Sequence, residues 1–482
     1  MINPFYLGNS TQNPNRINAQ FAEAMLGYYQ APNAPGDLNN FTAVRPSSTS
    51  GPQYTARIDH QLTGANSLAL RCTVIRSSQV NGAQAAYRLA DHIASETTNC
   101  SAGLTSVIRP NLVNEFRFGW NGVNGDYSVT PARNLIGELG IQMPVQLPNT
   151  PLVNRIPTLT FTGNGAFFGM GYATNIGGDG TPSIFENGSR SISDAITWQN
   201  GKLTIKAGYN YQRMPMRILY VGYPAGLLTY NGRTATNSTG YSAADLLLGL
   251  PASSTLEMSP PISDSRAMQE AAFLQTDWRA TSRLTLNLGL RWEVRTPQYA
   301  ANGEASTFDP VLGKIVVADP GGNVSASAYP QLLSAYAKDI VTATQAGWPQ
   351  NLVTTNWLNL CPRFGMAYSF DQRSEFVLRG GYGIFYSYPP EWMMDNSASI
   401  PYGASSSTSS TAANLLSNAN PFRVGLTATP ALTGVAPDFH NAYNQQWNLA
   451  IERVLFGKTT LSLAYVGNRG VHLMGQQNLN AG

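Results

Sequence analysis

The residue types that carry enzyme chemistry are few in this chain, and they are scattered. The four histidines, His60, His92, His440 and His472, lie far apart, and none has the spacing of metal ligands. The sequence contains no HExxH pair, no GxSxG nucleophile turn and no Walker loop for phosphates. We therefore expect no enzymatic activity, no cofactor and no metal site.

Acidic residues recur inside segments that alternate between apolar and polar side chains. Asp59, Asp194 and Asp277 are predicted to lie on the polar face of such segments. Two carboxylates held together could serve in hydrolysis. Carboxylates that line a water-filled interior explain the same pattern more simply, and we predict that role for them.

Three cysteines, Cys72, Cys100 and Cys361, are widely spaced, and no C-x-x-C pair occurs among them. Neither a zinc site nor thioredoxin-like chemistry is therefore indicated. Cys72 and Cys100 could form a disulfide in an oxidising compartment, although their spacing alone does not place the two Cβ atoms.

Composition narrows the class of protein. Only 12% of the 482 residues are charged, about half of the ~25% that is usual for soluble domains. The hydrophobic fraction is 43%, yet no apolar run approaches the ~18 residues that a membrane helix needs. A net charge of +3 does not indicate a nucleic-acid partner. These features suit either a β-barrel with uncharged polar loops or a secreted all-β protein.

Alternation of apolar and polar residues is the strongest pattern in the chain. Six times, two alternating stretches are joined by only a few residues, which predicts six strand pairs. About a dozen strands follow, each near the ~10 residues of a tilted membrane strand. The predicted strands are residues 53–62, 67–77, 101–108, 112–120, 191–198, 202–212, 268–278, 284–294, 362–370, 375–386, 445–455 and 461–466.

The connections between these pairs are far longer than the turns within them. They run through residues 124–190, 213–267, 296–357 and 387–443. Short turns on one side and long loops on the other are typical of a transmembrane barrel, with periplasmic turns and extracellular loops. Within the loops, residues 243–249 predict a helical turn ended by Gly249, and the low-complexity stretch 405–410 predicts a mobile segment.

The two faces of the predicted strands differ in polarity. Along residues 284–293, leucines and Trp292 alternate with polar residues that include Arg291 and Glu293. Charges would be costly in a dry core, so the polar face is predicted to meet water, either outside a soluble protein or in the lumen of a barrel. The residues predicted to line a lumen are Lys206, Arg291, Glu293, Arg363 and Arg379. The sequence leaves the binding site unknown, because residues that only solvate a lumen or hold a plug show the same pattern.

Aromatic residues favour the barrel over the soluble protein. They gather near both ends of the predicted strands, as membrane interfaces select. Those beside the short turns are Trp198, Trp278, Phe370 and Phe456, and those near the opposite ends are Trp120, Tyr211, Trp292, Tyr386 and Trp447.

Several segments together resemble TonB-dependent outer-membrane receptors. Residues 271–278 (AAFLQTDW) followed by 283–293 (RLTLNLGLRWE) are similar to the barrel signature of that family. Residues 361–368 (CPRFGMAY) and 377–386 (VLRGGYGIFY) resemble its Oar-like branch, which is common in Acidobacteria. Shorter similarities occur at 54–60, 200–208, 445–452 and 464–473, so that the resemblance spans about residues 50 to 475.

The resemblance implies part of a larger receptor. Family members carry a signal peptide, a plug domain and a barrel of 22 strands, of which this chain would supply an antiparallel transmembrane segment of about 12. We expect residues 1–50 to form an extracellular loop region, 51–475 the barrel segment and 476–482 a truncated end. The implied partners are outer-membrane lipid or lipopolysaccharide, an unknown solute and, for a full-length receptor, the TonB complex.

Two other functions remain open from the residues alone. A dozen strands could close into a smaller barrel that acts as a passive pore or a surface adhesin. A secreted, soluble β-rich protein that binds glycans would also show alternating strands. The unequal loops and the low charge argue against the soluble protein. We expect the receptor, located in the outer membrane of a Gram-negative-type bacterium.

Overall fold

The computed structural model places the alternating segments in one large antiparallel sheet. It describes residues 16–27, 31–36, 46–81, 90–130, 134–141, 157–162, 183–220, 225–232, 238–258, 263–388, 400–411, 415–422, 439–456 and 459–475, together with residues 41, 42, 44, 143, 413, 434 and 436. The predicted end segment 476–482 lies outside the described residues.

The described residues form mainly strands. In chain order these are β1 (Ser47–Ser50), β2 (Gln53–Thr63), β3 (Asn66–Asn81), β4 (Ala90–Arg109), β5 (Leu112–Thr130), β6 (Thr158–Phe161), β7 (Ser183–Asn200), β8 (Leu203–Tyr220), β9 (Leu227–Tyr230), β10 (Ser253–Met258), β11 (Ser263–Arg279), β12 (Leu284–Arg295), β13 (Tyr299–Ala300), β14 (Ser306–Asp309), β15 (Lys314–Val317), β16 (Ile340–Thr342), β17 (Asn359–Ser369), β18 (Phe376–Ser387), β19 (Ala404–Ser409), β20 (Ala442–Val454) and β21 (Thr460–Val471). The helices are α1 (Arg16–Leu26), α2 (Leu135–Glu138), α3 (Ser242–Leu248), α4 (Pro330–Ala335) and α5 (Ala343–Ala346), with a 3₁₀ turn at Pro320–Gly322.

The large sheet has fourteen strands in the order β1-β3-β4-β5-β7-β8-β11-β12-β17-β18-β20-β21, with β2 beside β3 and β13 beside β11. β1 and β2 follow one another along the same edge of β3, and β13 is a two-residue addition, so the sheet has twelve full strands. All twelve predicted strands are confirmed. In the part of the chain that the structure describes, β2 pairs only with β3, and β21 pairs only with β20.

Many of these strands are longer than predicted. β4 has 20 residues, β5 continues to Thr130, and β7 begins at Ser183, so both strands enter the predicted loop 124–190. β1 likewise extends the sheet into the predicted loop region 1–50. Outside a membrane both faces of a strand meet water, so the alternation fades while the backbone pairing continues.

The register assigns each side chain in the large sheet to a face, because directly paired residues of adjacent strands point to the same side. One face, here called the apolar face, carries Leu290, 51% exposed, and its cross-strand partner Leu274, 52% exposed. All the belt aromatics that fall inside strands lie on this face: Trp120, Trp198, Tyr211, Trp278, Trp292, Tyr386 and Trp447. An exposed apolar face of this extent requires a nonpolar surrounding.

The long loops fold together instead of remaining irregular. A four-stranded sheet, β19-β10-β9-β6, and a three-stranded sheet, β14-β15-β16, stand beside the large sheet. Buried side chains from these loops and from α1 form one cluster, here called the loop core, which includes Phe21, Leu159, Tyr230, Leu246 and Tyr402. The loops are therefore a packed assembly above the barrel wall.

Two predictions within the loops have different outcomes. The helical turn at 243–249 is confirmed as α3, which ends at Gly249 in the left-handed conformation with a φ of 74°. The prediction that residues 405–410 are mobile is wrong, because residues 404–409 form β19 and pair with β10. Serine-rich composition did not reveal the partner strand, which is about 150 residues away in the chain.

The helices are short. None among the described residues is long and apolar enough to cross a membrane. α1 packs against α3, and Phe21 and Met25 of α1 are fully buried in the loop core. This places the described part of residues 1–50 with the loops, apart from β1.

Candidate solute-binding surface

The opposite face of the large sheet, here called the polar face, contains all five residues that were predicted to line the lumen. Lys206 of β8 is paired with Gln275, which is paired with Gly289, which is paired with Arg363 of β17. Arg291 and Glu293 follow Gly289 on β12, and Arg379 lies on β18 opposite Ala367. With ~4.8 Å between strands, three steps separate Lys206 from Arg363 by about 14 Å.

Lys206 makes an ion pair across an intervening strand. Its Nζ lies 3.7 Å from Glu115 Oε2 on β5, while Arg117 Nη2 lies 3.5 Å from the other oxygen of Glu115. Ala195 of β7, which is opposite Glu115, leaves room for this reach because its side chain is a single methyl group. Glu115 is therefore shared by two cations.

Arg291 and Glu293 form a more shielded pair higher on the wall. Arg291 Nε donates to Glu293 Oε2 at 2.7 Å, and the side chains are 23% and 12% exposed. Arg291 is paired with the buried Cys361. Just past β18, the buried hydroxyl of Tyr388 has no hydrogen-bond partner among the residues that the structure describes. Burial, followed by the nearby Glu293 carboxylate, raises the pKa of Tyr388.

Arg363 has a different environment. Its guanidinium lies over the ring of Phe385, 4.8 Å from the ring centroid. Its paired neighbours on both sides, Gly289 and Gly383, have no side chains. Among the described residues Arg363 has no carboxylate partner, so its donors face the lumen.

Arg379 lies lower on the wall and is paired. Its Nε lies 3.2 Å from Glu452 Oε2 on the adjacent strand β20. The structure thus groups Arg291, Glu293 and Arg363 on neighbouring strands, whereas Lys206 and Arg379 lie at either side of that group.

The sequence did not reveal the side chains that pair with the predicted lumen residues, and it assigned one aspartate to the wrong face. Glu115, Phe385 and Glu452 alternate as the predicted residues do, but nothing in the sequence pairs strands across the sheet. Asp277 lies on the polar face and accepts from Asn287 Nδ2. Asp194 does not: it is paired with Tyr209 on the apolar face and accepts from Asn114 Nδ2 at 2.8 Å. The prediction for Asp194 fails because a polar residue inside a strand was assigned to the wrong face.

Two of the three cysteines lie on the apolar face. Cys72 and Cys100 are directly paired across β3 and β4 and form a disulfide, and Trp120 lies next in the same row. Cys361 is free and buried on the polar side. Within the described ranges no three His, Cys, Asp or Glu side chains come together as metal ligands.

The arrangement as a whole suits noncovalent binding. The polar face offers guanidinium, ammonium, carboxylate and amide groups that are held by cross-strand partners, and the apolar face suits lipid. A long antiparallel sheet with these two faces, short turns at one end and folded loops at the other is the wall of an outer-membrane β-barrel.

Comparison with known families agrees with this class. The model of a family described as the outer membrane beta barrel domain matches residues 3–482, and the chain belongs to that family. The protein is therefore located in the outer membrane. No curated protein sequence matches the chain.

Solved structures give distant similarities. The outer membrane transporter YddB from Escherichia coli is 10% identical with a TM-score of 0.48, and the match covers 89% of this chain and 42% of that one. The ferripyoverdine receptor of Pseudomonas aeruginosa is 10% identical with a TM-score of 0.41, over 88% and 42% of the two chains. The alcaligin receptor FauA from Bordetella pertussis is 10% identical with a TM-score of 0.39, over 88% and 44%. The chain spans less than half the length of these three proteins.

Proposed function

We propose that this chain supplies barrel wall to a TonB-dependent outer-membrane receptor that takes up a large or scarce solute. The folded loops and the polar face would capture the solute, and a plug domain elsewhere in the receptor would move to let it pass. The receptor-like segments 271–278 and 283–293, in β11 and β12, support this assignment. Their similarity to the Oar-like branch is part of the proposal.

The observation that carries the proposal is the open sheet. Twelve full strands are present, and the described edges at β2 and β21 have no second partner. Unpaired backbone groups are very costly in lipid, which supports the proposal that further strands pair with these edges. A barrel larger than twelve strands is wide enough to hold a plug, which argues against a small pore or adhesin that this sheet closes by itself.

Within the wall, Arg363 is the residue that we expect to contact the solute most directly. The cations Lys206, Arg291 and Arg379 already have carboxylate partners, whereas Arg363 has none among the described residues and lies over the ring of Phe385. A guanidinium with free donors favours carboxylate, phosphate or another anionic group. We therefore include an anionic group in the proposed solute, with Glu293 available to a donor on the same molecule.

Reconstitution separates the receptor from the passive pore. The full polypeptide that contains this chain would be inserted into liposomes and tested for swelling in small sugars. A plugged receptor is expected to exclude the sugars and to bind the purified periplasmic domain of TonB. Rapid swelling without TonB binding would contradict the receptor and support the pore. Partition into the aqueous phase without detergent would instead support the soluble glycan-binding protein.

A further inference from the structure

The four-stranded loop sheet β19-β10-β9-β6 has an exposed edge. β19 pairs with β10 on one side, and no described residue pairs with its other side. At the opposite edge, β6 is buried in the loop core through Leu159 and Phe161. We propose that the exposed edge of β19 binds an extended peptide as an added β-strand, and that this peptide belongs to the solute of the receptor proposed above.

The register shows which backbone groups lie on that edge. Ser410 N donates to Ala252 O at 2.8 Å, one pair beyond the end of the β19–β10 ladder. In an antiparallel pair every second residue turns its N–H and C=O groups to the partner strand, so the even-numbered residues of β19 point to β10. The N–H and C=O groups that point away from β10, at intervals of about 7 Å, belong to the exposed residues Ser405, Ser407 and Ser409.

The sequence of β19 does not block the addition of a strand. Exposed edges of natural sheets usually carry a charge, a proline or a bulge that prevents pairing with another chain. Residues 404–409 read ASSSTS, with no charge and no proline, and their register with β10 is continuous. The small hydroxyl side chains also leave room for the side chains of a partner. The edge therefore has the features of a strand-addition site.

The edge lies close to the rim of the barrel wall. β10 ends at Met258, and β11 of the large sheet begins at Ser263. The chain between them spans at most about 18 Å. Because Met258 is paired with Ala404, the first residue of β19, the exposed edge begins near this rim. A peptide bound there is near the polar face that we propose for solute capture.

The two faces of the small sheet predict the pattern of the peptide. On one face Ala404 packs against the loop core, beside the buried Leu256 and Met258. On the other face Ser407 is exposed, and its hydroxyl lies 2.8 Å from that of Thr255. Successive side chains of an added strand lie on these two faces in turn. We therefore expect a peptide that alternates apolar and polar residues and is held mainly by its main chain.

A second copy of the chain fits the edge less well. Pairing of two β19 strands would bring together only six residues from each copy. A stable interface takes about 20–30 residues a side. A peptide that is bound transiently and then released needs no such area.

Fluorescence anisotropy tests the site. The probe is a fluorescein-labelled peptide that alternates valine and threonine and is longer than the six residues of β19, and it would be titrated with the protein in a neutral detergent. We expect saturable binding. Ser407→Pro removes an outward N–H and leaves the pairing with β10 in place, so it should weaken binding about tenfold or more. The matched control Ser407→Ala keeps the backbone donor and should change binding by less than about threefold.

A methylated peptide tests the same hydrogen bonds from the side of the ligand. Methylation of all internal nitrogens keeps every side chain, removes the N–H donors and should weaken binding to the wild type about tenfold or more. This result does not depend on whether Ser407→Pro folds. No saturable binding, equal binding of the two peptides, or equal losses in Ser407→Ala and Ser407→Pro would each overturn the proposal. A dimer that the wild type forms and Ser407→Pro does not form would assign the edge to a second copy instead.

The outcome is distinguishable from that of the proposed function. Exclusion of sugars and binding of TonB without peptide binding would support the receptor and overturn the peptide site. Peptide binding together with rapid swelling and no TonB binding would support the strand-addition site and contradict the receptor.

Discussion

Arg291 Nε and Glu293 Oε2 are 2.7 Å apart on the polar face, in an ion pair that is only 23% and 12% exposed. By contrast, the Arg57–Asp59 pair near the edge of the sheet is 63% and 56% exposed, although its Nε–Oδ2 distance is 2.6 Å. The shorter distance does not make the exposed pair the stronger one, because water screens it and its side chains lose more freedom when held.

Because one pair is shielded and the other exposed, neutralising Glu293 should change the free energy of unfolding more than neutralising Asp59. Glu293→Gln leaves Arg291 without its carboxylate in a half-buried place and is expected to lower the free energy of unfolding by about 1–3 kcal/mol. Asp59→Asn is the control and should give no measurable change. Urea unfolding of the protein in lipid vesicles, followed by tryptophan fluorescence, measures both effects. Equal effects would contradict this account of the shielding.

The assignment of faces can be tested on one strand. Leu449, 48% exposed, and Asn448, also exposed, are adjacent on β20 and lie on the apolar and polar faces respectively. Leu449→Arg puts a charge in lipid and should cost about 2–4 kcal/mol of unfolding free energy. Asn448→Arg puts the same charge in the lumen and should cost much less. If Asn448→Arg instead costs more unfolding free energy than Leu449→Arg in vesicles, the lipid and lumen faces have been assigned the wrong way round.

Arg363 should influence ion selectivity more than Arg379 does. In a lipid bilayer that contains the protein, without the plug of the proposed receptor, Arg363→Gln removes a lumen cation that has no carboxylate partner among the described residues. This change should roughly halve the preference for chloride over potassium. Arg379→Gln leaves Glu452 without its partner, and the preference should shift less. Reversal potentials in a potassium chloride gradient measure this. A larger shift for Arg379→Gln would argue against Arg363 as the principal solute contact.

The loop core should lose stability at high pH. Tyr230 is fully buried and donates to Asn418 Oδ1, and burial raises the pKa of Tyr230 well above its ordinary value. The unfolded phenol has a pKa of about 10. Because the folded state holds the neutral form, its contribution is complete below pH ~10 and is lost as the pH rises from there toward the folded pKa.

Tyr230→Phe removes this titration and one hydrogen bond. At pH 7 it should cost about 1 kcal/mol, and between pH 9 and 11 the decline in stability should be less steep than in the wild type. Some decline should remain, since burial also raises the pKa of Tyr402 to about 12. Protease resistance of the loops across this pH range provides the measurement, and an unchanged slope would exclude Tyr230 as the responsible group.

Thiol counting tests the pairing of the cysteines. Because Cys72 and Cys100 are bonded and Cys361 is free and buried, no thiol should react in the folded protein, one after denaturation, and three after denaturation with reduction. Three reactive thiols without a reductant would show that the pair is not formed. In Cys361→Ala no thiol should react before reduction, even after denaturation, and this result would identify Cys361 as the free thiol.

The sequence alone determined the strands of the large sheet. Alternation survives wherever one side of a strand meets lipid and the other meets water, so strands such as β11 and β12 could be predicted with their turns and faces. The helical turn at α3 could be predicted as well, because Gly249 supplies a local stop signal. These features depend on neighbouring residues in the chain.

Tertiary structure decided what depends on distant partners. Nothing near residues 404–409 shows that β10 will pair with them, and nothing near Glu115 shows that Lys206 will reach it across β7. The face of Asp194 and the disulfide of Cys72 with Cys100 follow from register between strands. Register is a relation between segments separated by long loops, so the sequence determined the strands of this protein, whereas only the folded sheet decided which of their side chains meet.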